Sequence, residues 1–381
     1  MNLLDYPFQY KDLNNGKFLL EINHKYFTVE SELVTVLGIL KEVDSYDKAV
    51  SRYNHLKNEN HSAEDFEEYA RALVDGLDLE MKEKSFLLWE HSVMSPKRAA
   101  SISQYLNFLF APSLFYIVFS LLLVFGLYVL FGVDTPKETK VESFIYIAIG
   151  YAFSTLFHEL GHIAACRRFT GKNGEIGVGI YIFYPIFYSN ISAVWMANTS
   201  QRIITNLGGI YLQLILAIVS YVIFFVFGNQ FFIEFSKILI IFCLFQILPF
   251  IRSDGYWILS DIMNEPNLLK KSNLALWNGI KSLFGFETAD VRMNYKLILY
   301  SFFNYGVIIY FLYFQISQNS VRLLNFPDYI LHQFKDLFTG DFEHISIDWG
   351  YFPVIVFYFI IYQYTKRLYK LIKNSLSVKS A

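Results

Sequence analysis

The sequence predicts a predominantly α-helical polytopic membrane protein, with about six transmembrane helices and a re-entrant β segment, plus a small α+β domain of winged-helix character at the N-terminal end. Composition is the first support. Of 381 residues, 54% are hydrophobic and 19% aromatic but only 17% are charged, whereas a soluble domain averages about 25% charged. Distribution is the second. From Ala111 onward the apolar residues gather into long runs, while residues 1–100 keep the character of a water-soluble domain. The formal net charge of −2 provides no basic field, so the bilayer is an expected partner and nucleic acid is not. Cys166 and Cys243, both in apolar surroundings, offer no disulfide framework and suit a reducing cytosolic face. Met1 to Lys17 lack the basic start and apolar core of a signal peptide, so none is expected.

In residues 1–100, segments 18–22 and 26–29 read as two short strands joined by a turn at Asn23-His24. Three helices follow. The first gathers Leu33, Val36, Leu37 and Leu40 on one face, the second Ala49, Tyr53 and Leu56, and the third starts at Ser62 with Asp65 three positions on, in the manner of a capping box. Such a domain either binds a partner strand along its β edge or serves as a cytosolic cap on the membrane part.

A span needs about 20 apolar residues. Six candidates are expected, at 112–131, 141–165, 208–228, 232–250, 297–315 and 349–364. They divide into a core at 111–265 and further membrane helices at 266–381. Basic residues decide orientation. Lys97, Arg98, Arg167, Arg168, Lys172, Lys270, Lys271, Lys281 and Arg292, with the tail residues Lys366, Arg367, Lys370, Lys373 and Lys379, all fall on one side. The other side carries 133–142 and a loop at 317–348 where Asp328, Asp336, Asp341, Glu343 and Asp348 outnumber Arg322 and Lys335. Both termini are therefore expected in the cytoplasm, with the protein in the plasma membrane of a bacterium.

One apolar run, 176–196, is broken by Gly177, Gly179, Pro185, Asn190 and Ser192, and counting it as a crossing would place the basic tail outside. It reads as a re-entrant strand pair, allowed at membrane depth only where protein or water satisfies its backbone. An edge strand there can hold an extended peptide by β-augmentation.

Within the second span lies His158-Glu159-Leu160-Gly161-His162. Residues four apart share a helix face, so His158 and His162 can hold one zinc ion with Glu159 beside it as a base. Imidazoles and a carboxylate at that depth are costly and usually serve a metal, a pathway or a reaction. Catalytic zinc takes three protein ligands and keeps an open position. Asp254 is the expected third, because Pro249 interrupts the fourth span and Gly255 permits close backbone approach. Asn206, Gln213 and Arg202, near the start of the third span, are the candidates for positioning substrate or an oxyanion, together with Asn190 of the strand pair.

HELGH at the end of a membrane helix, a polar glycine-bearing third segment and Leu248-Pro249 followed by Asp254-Gly255 resemble the site-2 protease family of intramembrane zinc metalloproteases, over roughly residues 141–262. The resemblance implies three helices around Zn2+, ligands His158, His162 and Asp254, base Glu159, and a membrane-embedded β region that presents substrate. The 96-residue spacing from His158 to Asp254 is compatible with it. Cys166-Arg167-Arg168-Phe169, the Gly-Val-Gly-Ile-Tyr run and residues 188–195 resemble bacterial peptide zinc metalloproteases of modified-peptide pathways. The N-terminal pattern is similar to PqqD-like domains, which implies a precursor-peptide leader as partner for residues 18–76. Two departures stand out: Gln246 replaces the family's Asn before the Pro, and Gln213 replaces Asn four residues after Gly209. The expected activity is hydrolysis of peptide bonds in a membrane-associated or modified precursor peptide by zinc-activated water. Regulated cleavage of a single-span membrane regulator, and an idle peptide-binding export or immunity factor, are the alternatives.

Overall fold

The structure is a computed structural model, described over residues 8–12, 17–22, 25–81, 87–134, 141–181, 184–250, 252–265, 267–285, 294–339 and 351–379. The expected turn at Asn23-His24 and the acids Asp341, Glu343 and Asp348 lie outside those residues. The chain divides into two compact units, Met1–Pro266 and Asn267–Ala381.

The first unit opens with strands β1 (Gln9–Asp12), β2 (Lys17–Ile22) and β3 (Lys25–Glu30), which form an antiparallel sheet in that order. Helices α1 (Ser31–Glu42), α2 (Tyr46–Lys57) and α3 (Ala63–Met81) follow. Leu20, Val36, Leu37, Leu40, Ala49, Tyr53 and Phe66 make one buried core. The capping expectation holds: Ser62 Oγ accepts from the Asp65 N–H at 3.1 Å and Asp65 Oδ2 accepts from the Ser62 N–H at 3.4 Å. The placement of Leu56 on the buried face does not hold; it is 62% exposed, and Val50 packs in its stead beside Ala49. Tyr53 and Lys57 both reach Glu32, which pins α2 to α1.

Strand β4 (Trp89–Met94), helix α4 (Pro96–Ser103) and a 3-10 turn at Asn107–Phe110 lead into α5 (Pro112–Gly132). Helix α6 (Val141–Thr170) is followed by strands β5 (Ile176–Tyr181) and β6 (Tyr184–Ser189), a 3-10 helix at Ser192–Met196, then α7 (Thr199–Phe227), α8 (Gln230–Ile247) and α9 (Asp254–Met263). Strands β5 and β6 pair antiparallel as expected of the interrupted run, and β4 adds to the far side of β5 to give the order β4-β5-β6. Arg167 and Arg168, at the end of α6, donate to the carbonyls of Ala100 and Asn107 at 2.6 and 3.0 Å, so α4 and the turn after it are tied to α6. The small domain reaches the same region: Lys11 Nζ donates to the Met196 carbonyl, and Lys172 lies 3.4 Å from Glu21.

Among the described residues four helices, α5, α7, α8 and α11 (Tyr295–Gln318), are long and apolar enough to cross a membrane. That indicates a membrane protein, with four of the expected spans represented among the described residues.

The second unit comprises α10 (Leu268–Leu283), α11, α12 (Ser320–Thr339) and α13 (Phe352–Lys379). Helix α12 corrects the loop expected over 317–348. It contains Pro327, whose missing N–H leaves the carbonyl four residues back without its helical donor. That carbonyl belongs to Leu323, and Tyr358 Oη of α13 donates to it at 2.9 Å while the Phe326 and Tyr358 rings stack at 5.2 Å. A tertiary donor thus replaces the lost helical one.

Candidate metal centre

Helix α6 sets His158 and His162 one turn apart on one face, with their Nε2 atoms 3.0 Å from each other. Both rings are buried. Opposite them α9 begins at Asp254. Helix α8 stops at Ile247, the chain turns through Pro249 and the left-handed Arg252, and α9 folds back so tightly that a Cβ on Gly255 would collide with the Ile247 carbonyl. The reversal puts Asp254 Oδ2 at 3.2 Å from His158 Nε2 and Oδ1 at 3.5 Å from His162 Nε2.

These three groups offer ligand atoms that all lie within 4.8 Å of one another. Asp254 Oδ2 is buried yet accepts no hydrogen bond, an arrangement that leaves a carboxylate oxygen in want of a cation. His162 Nδ1 lies 2.8 Å from the Thr205 carbonyl. A carbonyl only accepts, so that contact places the proton on Nδ1 and leaves Nε2 with a lone pair aimed at the centre. Two imidazole nitrogens and one carboxylate match the donor set of zinc, with a position left for water. The residues therefore fit the ion.

Glycines let the helices approach. A Cβ on Gly208 of α7 would lie 2.7 Å from the Gly161 carbonyl oxygen of α6, and one on Gly209 would lie 2.5 Å from Nε2 of both His158 and His162. Helix α7 can run beneath the imidazoles only because that surface is bare backbone.

The sequence candidates around α7 are placed as follows. Arg202 and Asn206 line the cavity that holds the ligands, but both are engaged by Asp261: Arg202 Nε donates to Oδ1 at 2.6 Å and Asn206 Nδ2 to Oδ2 at 2.8 Å. The guanidinium also lies 5.5 Å over the Trp195 ring. Asp261 is buried, and burial pushes its carboxyl above the ordinary range while Arg202 and Asn206 pull it back down. It sits two turns after Asp254 on α9. The trio therefore clamps α9 to α7 and fixes the helix that carries Asp254. Gln213 does not reach the cavity; it is fully buried and donates to Ser154 Oγ at 3.2 Å. Asn190 is exposed, and its Oδ1 accepts from the Ser192 Oγ–H at 2.9 Å in the turn after β6. Asp261 is a residue the sequence reading missed. A seven-residue interval puts it on the helix face of Asp254, and that was the available signal.

The cavity has a volume of about 680 Å³ and is lined by Glu159 and the three ligand candidates, by Ile186, Phe187, Tyr188 and Ser189 of β6, and by Trp195, Phe250 and Trp257. Strand β6 is thus the wall of the site. Among the described residues it pairs only with β5, whose other edge is taken by β4.

The chain is similar to a protein of Bacillus subtilis (strain 168) named "Putative peptide zinc metalloprotease protein YydH", 31% identical over 127 residues, which is 31% of this chain and 48% of that protein. The chain spans about half the length of the curated relative it matches. No family model and no solved structure matches the chain.

Proposed function

We propose that the chain is a membrane zinc endopeptidase of the site-2 type that hydrolyses peptide bonds in a membrane-associated or modified precursor peptide. The observation that carries this is the placing of one carboxylate, Glu159, beside a His158, His162 and Asp254 centre inside a cavity walled by a β edge. The name of the Bacillus subtilis relative supports the same chemistry. Zinc held by the three residues supplies a Lewis acid for the peptide carbonyl and lowers the pKa of bound water to about 7.

The protein's own groups then do the rest. An extended peptide adds to the outer edge of β6, whose backbone gives it main-chain hydrogen bonds while Phe187, Trp195 and Trp257 meet its side chains. The Glu159 carboxylate takes a proton from the attacking water and delivers it to the leaving amine nitrogen. His162, with Nδ1 on the Thr205 carbonyl, and Asp254, on the clamped α9, keep the ligand geometry fixed through the reaction. The N-terminal domain, tied to the Ser192–Met196 helix through Lys11, is suited to capture the leader of a precursor and deliver the remainder to β6.

The test is a cell that carries Glu159→Gln in place of the native protein. An uncut short peptide should accumulate, and native protein in detergent should cut it while the variant does so about 10²- to 10⁴-fold more slowly. Undiminished cutting by the variant defeats the assignment. Accumulation of a single-span membrane protein in place of a short peptide changes the substrate class.

A further inference from the structure

The two imidazoles of the centre are treated unequally by their surroundings. His162 has its outer nitrogen on the Thr205 carbonyl, whereas His158 Nδ1 is buried with no hydrogen bond. A histidine that binds a metal through Nε2 must carry its proton on Nδ1, and such an N–H is almost always met by an acceptor that fixes ring and tautomer. A buried N–H left unmet loses its water partner and gains nothing in return.

Gln213 is the candidate for that acceptor. It belongs to the same face of α7 as Gly209, the residue that touches both rings, and it is fully buried. Its amide orientation is set from the other side: Nε2 donates to Ser154 Oγ at 3.2 Å, and Ser154 in turn donates to the Tyr151 carbonyl at 2.8 Å. With the nitrogen engaged there, the carbonyl end is what remains, and its recorded contact is the Cys243 thiol at 3.7 Å, a weak donor. Ser154 and His158 are themselves one turn apart on α6, so serine, amide and imidazole lie in one row.

We infer that Gln213 is a positioning residue for the metal: its Oε1 accepts the Nδ1–H of His158, and Ser154 holds the amide in the orientation that makes this possible. This rests on the zinc reading above. Gln213 is absent from the cavity wall that Asn206 and Arg202 share, as a residue that acts through a ligand rather than on the substrate should be.

Zinc affinity of the full-length protein in detergent, measured by competition with a chelating dye, tests it. Gln213→Leu keeps the volume and removes the acceptor, and should weaken zinc about 10- to 100-fold. Gln213→Glu retains an acceptor oxygen and should hold zinc within a few-fold of the native protein. Ser154→Ala frees the amide and should give an intermediate loss. The visible spectrum of the cobalt-substituted protein should change in Gln213→Leu and stay native-like in Gln213→Glu, a distinction that a loss of packing alone does not produce. If Gln213→Leu does not fold, the comparison of Gln213→Glu and Ser154→Ala with the native protein decides. Native affinity in Gln213→Leu, or equal losses in Gln213→Leu and Gln213→Glu, overturns the assignment of Gln213. Absence of zinc from the native protein instead overturns the metal reading beneath it.

Discussion

Gly161 of α6 and Gly208 of α7 meet backbone to backbone: a Cβ on Gly208 would stand 2.7 Å from the Gly161 carbonyl oxygen, and a Cβ on Gly161 would collide with the Gly208 carbonyl. The obstacle on each side is a helical carbonyl, which cannot rotate away as a flexible side chain can. Ala at either position should push the helices apart, cost about 1–3 kcal/mol or more, and reduce zinc content, since the ligands are one turn from the crossing. Thermal unfolding in detergent together with metal analysis checks this. Gly38 of α1 is the internal comparison. It has nothing within 4 Å of the site of a Cβ, so Gly38→Ala should stabilise the protein by about 0.4–1 kcal/mol.

The clamp at Asp261 predicts a graded defect. Asp261→Asn leaves Arg202 buried without its counter-charge, a change that costs about 3–5 kcal/mol when one partner of a buried pair is removed. Because Asp254 shares α9, zinc affinity and turnover should both fall, whereas Arg202→Lys should lose the second contact to Ala197 and part of the pairing and fall between. Titration of zinc into the purified variants separates this from an effect on substrate alone, which would leave zinc affinity at the native value.

The sequence pointed to the three residues that the fold brings together, His158, His162 and Asp254, and not to what surrounds them, for a physical reason. His158, Glu159 and His162 are related by helical periodicity, and Asp254 is marked by Pro249 and Gly255, so local rules suffice. Strand β4 forms only because β5, more than 80 residues further on, offers it an edge. Helix α12 was hidden by Pro327 and by acidic residues that resemble a loop, and its continuity depends on a donor from α13. Gln213 shows the same limit: the chain marks it as an amide beside Gly209, but only the packing of Ser154 and Cys243 shows that it faces away from the cavity.

Tyr358 gives a direct check on the α12 account. Tyr358→Phe keeps the ring on Phe326 and removes the hydroxyl that serves the Leu323 carbonyl. Loss of that one donor should cost about 0.5–1.5 kcal/mol and speed hydrogen exchange around Pro327, while a variant indistinguishable from native would mean the carbonyl finds another donor.

Acid should loosen the N-terminal domain. Burial pushes the Glu32 carboxyl up, but the hydrogen bonds from Lys57 and Tyr53 and the lysine charge outweigh it and leave the group below its ordinary value of 4.5. A depressed carboxylate adds stability that is complete above the unfolded value and is lost as pH falls through the folded one. Hydrogen exchange of α1 and α2 in the full chain should therefore accelerate from about pH 4.5 downward, and Glu32→Gln should remove that pH dependence; an unchanged profile in the variant would assign it to other groups.

Metal analysis of the purified protein bears most directly on the central claim. The native chain and Glu159→Gln should each carry one zinc per chain, and Asp254→Ala and His158→Ala should each carry well under one, because His158, His162 and Asp254 are the only such cluster among the described residues. A native protein without zinc, or an Asp254→Ala protein that keeps it in full, would contradict the account.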